Sequence, residues 1–149
     1  MSLALFLLLL AGPKRELVHL DVPDMVEARA GQPFDVPIKF WVADGYHINS
    51  SKPTEVYMIP TRIEWQTSAL KHVSDDFPPG ELREFKFTAG KKLSVYEGTQ
   101  VVKARFTVPS GAPGKHTLEG TFRYQACDQA ACYPPSKVEI RVPVKVSER

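Results

Sequence analysis

Two cysteines, Cys127 and Cys132, lie in one short stretch, Tyr124-Gln125-Ala126-Cys127-Asp128-Gln129-Ala130-Ala131-Cys132-Tyr133-Pro134-Pro135, with four residues between them. A tight turn over that interval brings the two sulfurs within bonding distance. Three chemistries are open to such a pair. The first is reversible thiol–disulfide exchange, which needs two thiols able to close near a chain reversal where a partner's sulfur approaches in line. The second is a permanent clip, although the chain-entropy gain from so small a loop is only about 2 kcal/mol. A chain of 149 residues is also long enough to hold a core without it. The third is a metal site. Zinc accepts a C-x4-C pair but needs further ligands, and His19, His47, His72 and His116 include no second pair at ligand spacing.

Within the exchange reading the two sulfurs are not equivalent. The attacking species is a thiolate, and an adjacent negative charge raises the pKa of a thiol. Asp128 adjoins Cys127, whereas Cys132 precedes the neutral run Tyr133-Pro134-Pro135, whose prolines stiffen the exit. Cys132 is therefore expected to exchange with partners, and Cys127 to resolve the mixed disulfide.

The elements that position this pair read as β-structure. Apolar residues recur at every second position in four segments. They are Phe34, Val36, Ile38, Phe40 and Val42; Val102, Ala104, Phe106 and Val108; Leu118, Gly120, Phe122 and Tyr124; and Val138, Ile140, Val142, Val144 and Val146. Weaker strand signals cover Val18 to Val22, Glu55 to Ile59, Arg62 to Trp65 and Leu82 to Thr88, and no segment has amphipathic helical periodicity. The turn formers Pro109 to Gly114 predict a hairpin-like connection between the second and third segments. Pro37 and Pro143 cannot donate to a ladder, which predicts that both of their strands are sheet edges. About eight short strands at this spacing predict an all-β, immunoglobulin-like antiparallel sandwich. The 13 prolines fit that class better than a helical one. A net charge of +2 is too weak to concentrate a polyanion, so no nucleic acid partner is expected.

The string from Tyr124 to Pro135 resembles the redox motif of the amino-terminal periplasmic domain of the thiol:disulfide interchange protein DsbD and its relatives. Asp44-Gly45-Tyr46-His47-Ile48-Asn49 and Leu93-Ser94-Val95-Tyr96-Glu97-Gly98 resemble two further blocks of that family, and the likeness runs from about Ala28 to Val146. It implies an immunoglobulin-like fold that passes electrons through Cys127 and Cys132 by successive mixed disulfides. It implies no cofactor, no metal, thioredoxin-like redox proteins or domains as partners, and association with a membrane electron-transfer system. A monomer is expected. The family also has a cap loop whose aromatic ring shields the disulfide, and the local match, Glu84-Phe85-Lys86-Phe87, makes Phe85 or Phe87 the candidate shield. The alternative for both rings, two residues apart, is to face one sheet's core. Tyr46, His47, Asn49, Asp128 and Tyr133 are the expected supporting residues. Two departures stand out: the family has one more residue between its cysteines, and tyrosines where this chain offers His47 and Asn49. His47 either tunes a thiol near neutral pH or is a surface residue at a strand start.

The apolar run Leu3 to Ala11 is too short to span a bilayer. It has the length of a signal-peptide hydrophobic region, which predicts a periplasmic address, but no Lys or Arg precedes it and no clear A-x-A site follows. Residues 1–12 are accordingly expected to be a signal-peptide remnant or residues added ahead of the domain, and 13–149 one interchange domain. The competing function is a non-catalytic binding or structural sandwich that keeps its disulfide as a clip, with Trp41, Trp65 or Tyr57 as ligand surface.

Overall fold

The computed structural model describes residues 15–148, so the apolar run near the start lies outside the described residues. Twelve strands follow in chain order. They are β1 (Val18–Asp21), β2 (Val26–Arg29), β3 (Pro33–Val42), β4 (His47–Asn49), β5 (Arg62–Trp65), β6 (Lys71–Asp76), β7 (Glu81–Glu84), β8 (Lys92–Tyr96), β9 (Thr99–Thr107), β10 (Gly114–Tyr124), β11 (Ala126–Cys127) and β12 (Ser136–Ser147). One turn of 3-10 helix covers Lys86–Thr88, and the described residues contain no α-helix.

Three four-stranded sheets result, in the orders β1-β3-β9-β6, β2-β12-β10-β5 and β11-β4-β8-β7. The first two form an immunoglobulin-like sandwich, in which Phe40 of β3 meets Phe122 of β10 with ring centroids 5.0 Å apart. At the far side Phe106 of β9 meets Trp65 of β5 edge-on, also at 5.0 Å. The period-2 apolar positions of β3, β9, β10 and β12 point into this core as the sequence predicts, because successive side chains of a strand face opposite ways. Gly120 has a packing reason: a Cβ there would lie 2.7 Å from Trp65 Cε3, so only glycine lets the indole lie across β10. Every paired strand is antiparallel except β2 against β12.

The small third sheet closes one end of the sandwich and carries the cysteines. One of its faces, with Ile48, Tyr96 and Ala126, joins the main core. The other packs Leu93 and Val95 against Phe85, with Met58 alongside.

Several sequence expectations need correction. β3 and β12 are interior strands, not edges. Pro37 lies just beyond Lys39, the last residue of β3 that β1 pairs, and Pro143 just before Val144, where β2 begins to pair. Each proline therefore falls where its strand has one paired neighbour and an open side, so its missing N–H costs no ladder bond. The Pro109 to Gly114 turn is not a hairpin: β9 pairs with β3 and β6, whereas β10 pairs with β12 and β5, so the turn crosses between sheets. Glu55 to Ile59 is a loop containing a turn, with Met58 N donating to Glu55 O at 3.1 Å and Val56 fully exposed. Only Glu81–Glu84 of the Leu82 to Thr88 segment is strand, and the chain then turns at Lys86–Thr88.

Phe122 is wholly buried between the two sheets. Replacing it with alanine is expected to lower stability by about 3–5 kcal/mol, seen in urea unfolding as a lower midpoint with the disulfide intact. A loss below about 1 kcal/mol would contradict this packing.

Candidate functional site

β10 runs through Gln125 directly into β11, and the chain then reverses over Asp128 to Ala131. Asp128 N donates to Ala131 O at 2.9 Å and Tyr133 N donates to Ala126 O at 2.8 Å. Those two bonds flank Cys127 and Cys132 and make them a non-hydrogen-bonded antiparallel pair, the register in which facing side chains come closest. The cysteines are joined there, with Cα atoms 3.9 Å apart. The turn is locked from inside. Asp128 Oδ1 accepts from Ala130 N at 2.8 Å and Ala131 N at 2.9 Å, and Asp128 Oδ2 accepts from the Tyr133 hydroxyl. The Tyr133 hydroxyl, then the two backbone N–H groups, hold the Asp128 carboxyl below its ordinary value. The same bond to an anion raises the Tyr133 phenol above 10.0.

β4 pairs with the other side of β11, placing His47 opposite Cys127 and Ile48 opposite Ala126. Directly opposed side chains share a face. Ala126 and Ile48 face the main core, so His47, Cys127 and Cys132 form a row across the other face, from the interior to the edge. Exposure follows that row: His47 is 1% and Cys127 0% exposed, while Cys132 is exposed. Phe85 covers the inner end, its ring stacked on the imidazole at 3.8 Å and 13°, with Phe87 stacked on Phe85 at 5.6 Å. Burial pushes His47 down to about 4, against the opposing pull of the Asp128 carboxylate.

The family profile described as "Thiol:disulfide interchange protein DsbD, N-terminal" matches residues 16–143. The chain belongs to that family. It is a thiol:disulfide interchange domain with its cysteine pair at disulfide distance. Among solved structures, the DsbD amino-terminal domain of Neisseria meningitidis in the reduced form is similar at 21% identity and a TM-score of 0.52, over 85% of this chain and 82% of that one. The amino-terminal periplasmic domain of ScsB from Proteus mirabilis is similar at 12% identity and a TM-score of 0.64, over 87% of this chain and 47% of that one. At these identities the two structures show the shared fold. No curated protein matches the chain.

All nine residues that the sequence singles out for the DsbD-like site lie on or beside the cysteine hairpin. Only one of the two phenylalanines faces a sheet's core: Phe85 is buried on His47 and against Leu93 and Val95 of the third sheet, and Phe87 is 39% exposed outside it. His47 is not a surface residue. Tyr46 lies against Tyr133 with centroids 6.1 Å apart and accepts from Arg15 Nη1 at 3.3 Å. Asn49 Nδ2 donates to Ile59 O at 2.9 Å and to Gln125 Oε1 at 3.2 Å. Sequence reasoning passed over Gln125, whose Nε2 donates to Tyr133 O and so ties the hairpin to β4 through Asn49. The signal was its place inside the motif, next to the first cysteine.

The side chains named in the other readings lie in mixed surroundings. Both sulfurs are spent on each other, and the described residues hold no group of three or more His, Cys, Asp and Glu side chains able to share a metal. Trp65 turns inward onto Phe106 and donates to Asp75 Oδ1 at 3.0 Å, while Trp41 stacks on His19 of the neighbouring strand β1 but stays part-exposed, and Tyr57 is exposed.

Because Asp128 is depressed in the folded state, its bonds steady the turn above the ordinary carboxylate value and are lost as pH falls through its folded value. Asp128→Ala should therefore bring the Tyr133 phenol back down toward its ordinary value of 10.0. NMR titration of the Tyr133 ring measures this, and an unchanged Tyr133 would contradict the bond.

Proposed function

We propose that this domain relays electrons by opening and reclosing the Cys127–Cys132 disulfide, with Cys132 as the sulfur that partners attack. The row of His47, Cys127 and Cys132 supports that assignment. Thiolate attack on a disulfide runs along the line of the S–S bond. Cys132 is exposed at the hairpin edge and open to such an approach, whereas Cys127 is wholly buried, with His47 beneath Phe85 paired on its far side.

A partner thiolate bonds to Cys132 Sγ, the Cys127–Cys132 bond breaks, and the electron pair goes to Cys127 Sγ, which is protonated. A second thiolate of the partner then attacks the sulfur joined to Cys132. That leaves the partner oxidised to its own disulfide and this chain as a dithiol. Run in reverse against an oxidised acceptor, the same steps pass the two electrons on, with Cys127 as the resolving thiol. No step uses a cofactor. The solved reduced form of the Neisseria DsbD domain gives an example of this fold with its cysteine pair open.

Donors and acceptors are thioredoxin-like proteins or domains, because a single exposed sulfur beside a rigid turn suits a partner whose own reactive thiol is presented at a surface. The domain works in the periplasm, as does the amino-terminal periplasmic domain of ScsB from Proteus mirabilis, as one unit over residues 13–149. It acts as a monomer alongside a membrane electron-transfer system. Among the described residues no helix is long and apolar enough to cross a membrane.

Trapping tests the assignment. Cys127→Ser, which keeps only Cys132, should accumulate a mixed disulfide with a thioredoxin-like protein that lacks its own resolving cysteine and whose reactive cysteine is pre-loaded as an aryl mixed disulfide, the Cys132 thiolate displacing the aryl thiolate. Cys132→Ser should trap at least roughly tenfold less. Equal trapping through Cys127 would overturn the assignment of Cys132, and absence of trapping by both variants, each still folded, would favour a permanent clip.

A further inference from the structure

His47 has three properties that a purely structural residue in this position does not need. It is a titratable group at 1% exposure, its Nε2 has no hydrogen-bond partner, and its ring is covered by a single side chain from a thinly attached segment. An apolar residue would fill the same space without the cost of an unsatisfied buried polar atom.

The covering segment is the tip of the β7–β8 hairpin. From Glu81 to Lys92 Phe85 is the one buried side chain. The tip turns through Ala89 and Gly90, both left-handed at φ 50 and φ 84, and its local bonds, such as Thr88 N to Phe85 O at 3.0 Å, are internal to it. Contact with the rest of the site therefore rests mainly on Phe85, stacked on His47 and packed on Leu93, Val95 and Met58.

We propose that His47 controls the departure of the Cys127 sulfur, as a neutral ring that seats Phe85 over the inner end of the row and, once uncovered, as the acid that protonates the leaving thiolate. The inference rests on the exchange reading above. When a nucleophile attacks Cys132 Sγ, the S–S electron pair moves to Cys127 Sγ on the same face as the imidazole, one strand away. Under the Phe85 cover that sulfur would become an anion in a dry site, which opposes its leaving. With the cover lifted and His47 protonated, the proton passes from the imidazolium to Cys127, giving a thiol and a neutral ring. In reclosure the neutral ring takes that proton back as Cys127 attacks.

The surroundings fix the direction of the pH effect. Asp128 faces His47 from the hairpin turn, Asp44 and Glu97 line the same cavity from the turns before β4 and after β8, and Lys86 is exposed on the covering segment. Tyr46 and Gln129 also line that cavity. The Asp128 carboxylate favours the imidazolium, and burial under Phe85 outweighs it. Covering is therefore favoured above the imidazole's ordinary value and lost as pH falls below it. Linkage between an ordinary value of 6.5 and a covered value of about 4 enlarges the uncovered population about tenfold from pH 7.5 to pH 5.5.

The test is reduction of the intact disulfide by a water-soluble phosphine across that range, each rate divided by that of a linear peptide disulfide in the same buffer. The wild type should speed up about a hundredfold toward pH 5.5, about tenfold from uncovering and about tenfold from protonation of the uncovered ring. His47→Phe, which keeps the stacked ring without a titrating group, should stay slow and flat, and Phe85→Ala should lose the covering part of the slope and be fast already at pH 7.5. A second readout does not depend on a His47 variant folding: by NMR the His47 imidazole should titrate well below 6.5 in the wild type and close to it in Phe85→Ala. A flat wild-type ratio, the same slope in His47→Phe, or a His47 that still titrates well below 6.5 in Phe85→Ala would each overturn the proposal. None of these outcomes depends on trapping by a thioredoxin-like partner, so failure here and failure of the exchange reading remain distinguishable.

Discussion

The site depends on one constraint, the register of β11 between β4 and the returning Cys132 segment. Because strand side chains alternate, a slip of one residue would turn Cys127 into the sandwich core and bring Ala126 to the working face. The register is held from both sides. Ile48 and Ala126 are buried together in the main core on one face, and the Asp128 turn with its Tyr133 and backbone bonds fixes the reversal on the other. With that register set, the non-hydrogen-bonded pairing of Cys127 and Cys132 and the placing of His47 opposite Cys127 follow without further design.

The division of labour between the sheets follows from the same geometry. Most of the buried apolar side chains lie in the one cluster between the two large sheets, so the sandwich does not rely on the disulfide for its core. A ring closed over so short a separation adds little chain-entropy stabilisation in any case. The third sheet, by contrast, gathers only Phe85, Leu93 and Val95, with Met58 against them, into an apolar cluster on its outer face. A bond that must open during work is best carried by the element whose loss of order costs least, and local openings concentrate where buried apolar contacts are few.

Much of the fold was legible in the sequence because burial writes a period of two into long strands. β3, β9, β10 and β12 each bury one face against the opposite sheet, and their alternation from Phe34 to Val146 reads directly. β6 was illegible for the opposite reason: Lys71–Asp76 lies at a sheet edge with mostly exposed side chains and a bulge between His72 and Ser74, so no alternation is required of it. The prolines misled because a strand can be interior over part of its length and open over the rest, as Pro37 and Pro143 show. At the site, the cysteine spacing and Asp128 were readable because the turn is local. The stack of Phe85 on His47 joins residues far apart in the chain, and spacing alone cannot express it.

The central claim is that this disulfide opens and recloses in normal work. Equilibration of the purified domain with glutathione buffers of graded redox poise, followed by acid quench and counting of free thiols, tests it most directly. A working interchange pair should be half reduced at a potential above about −300 mV, within reach of biological thiol couples. A midpoint below that, in the range of inert structural bridges, would contradict the account.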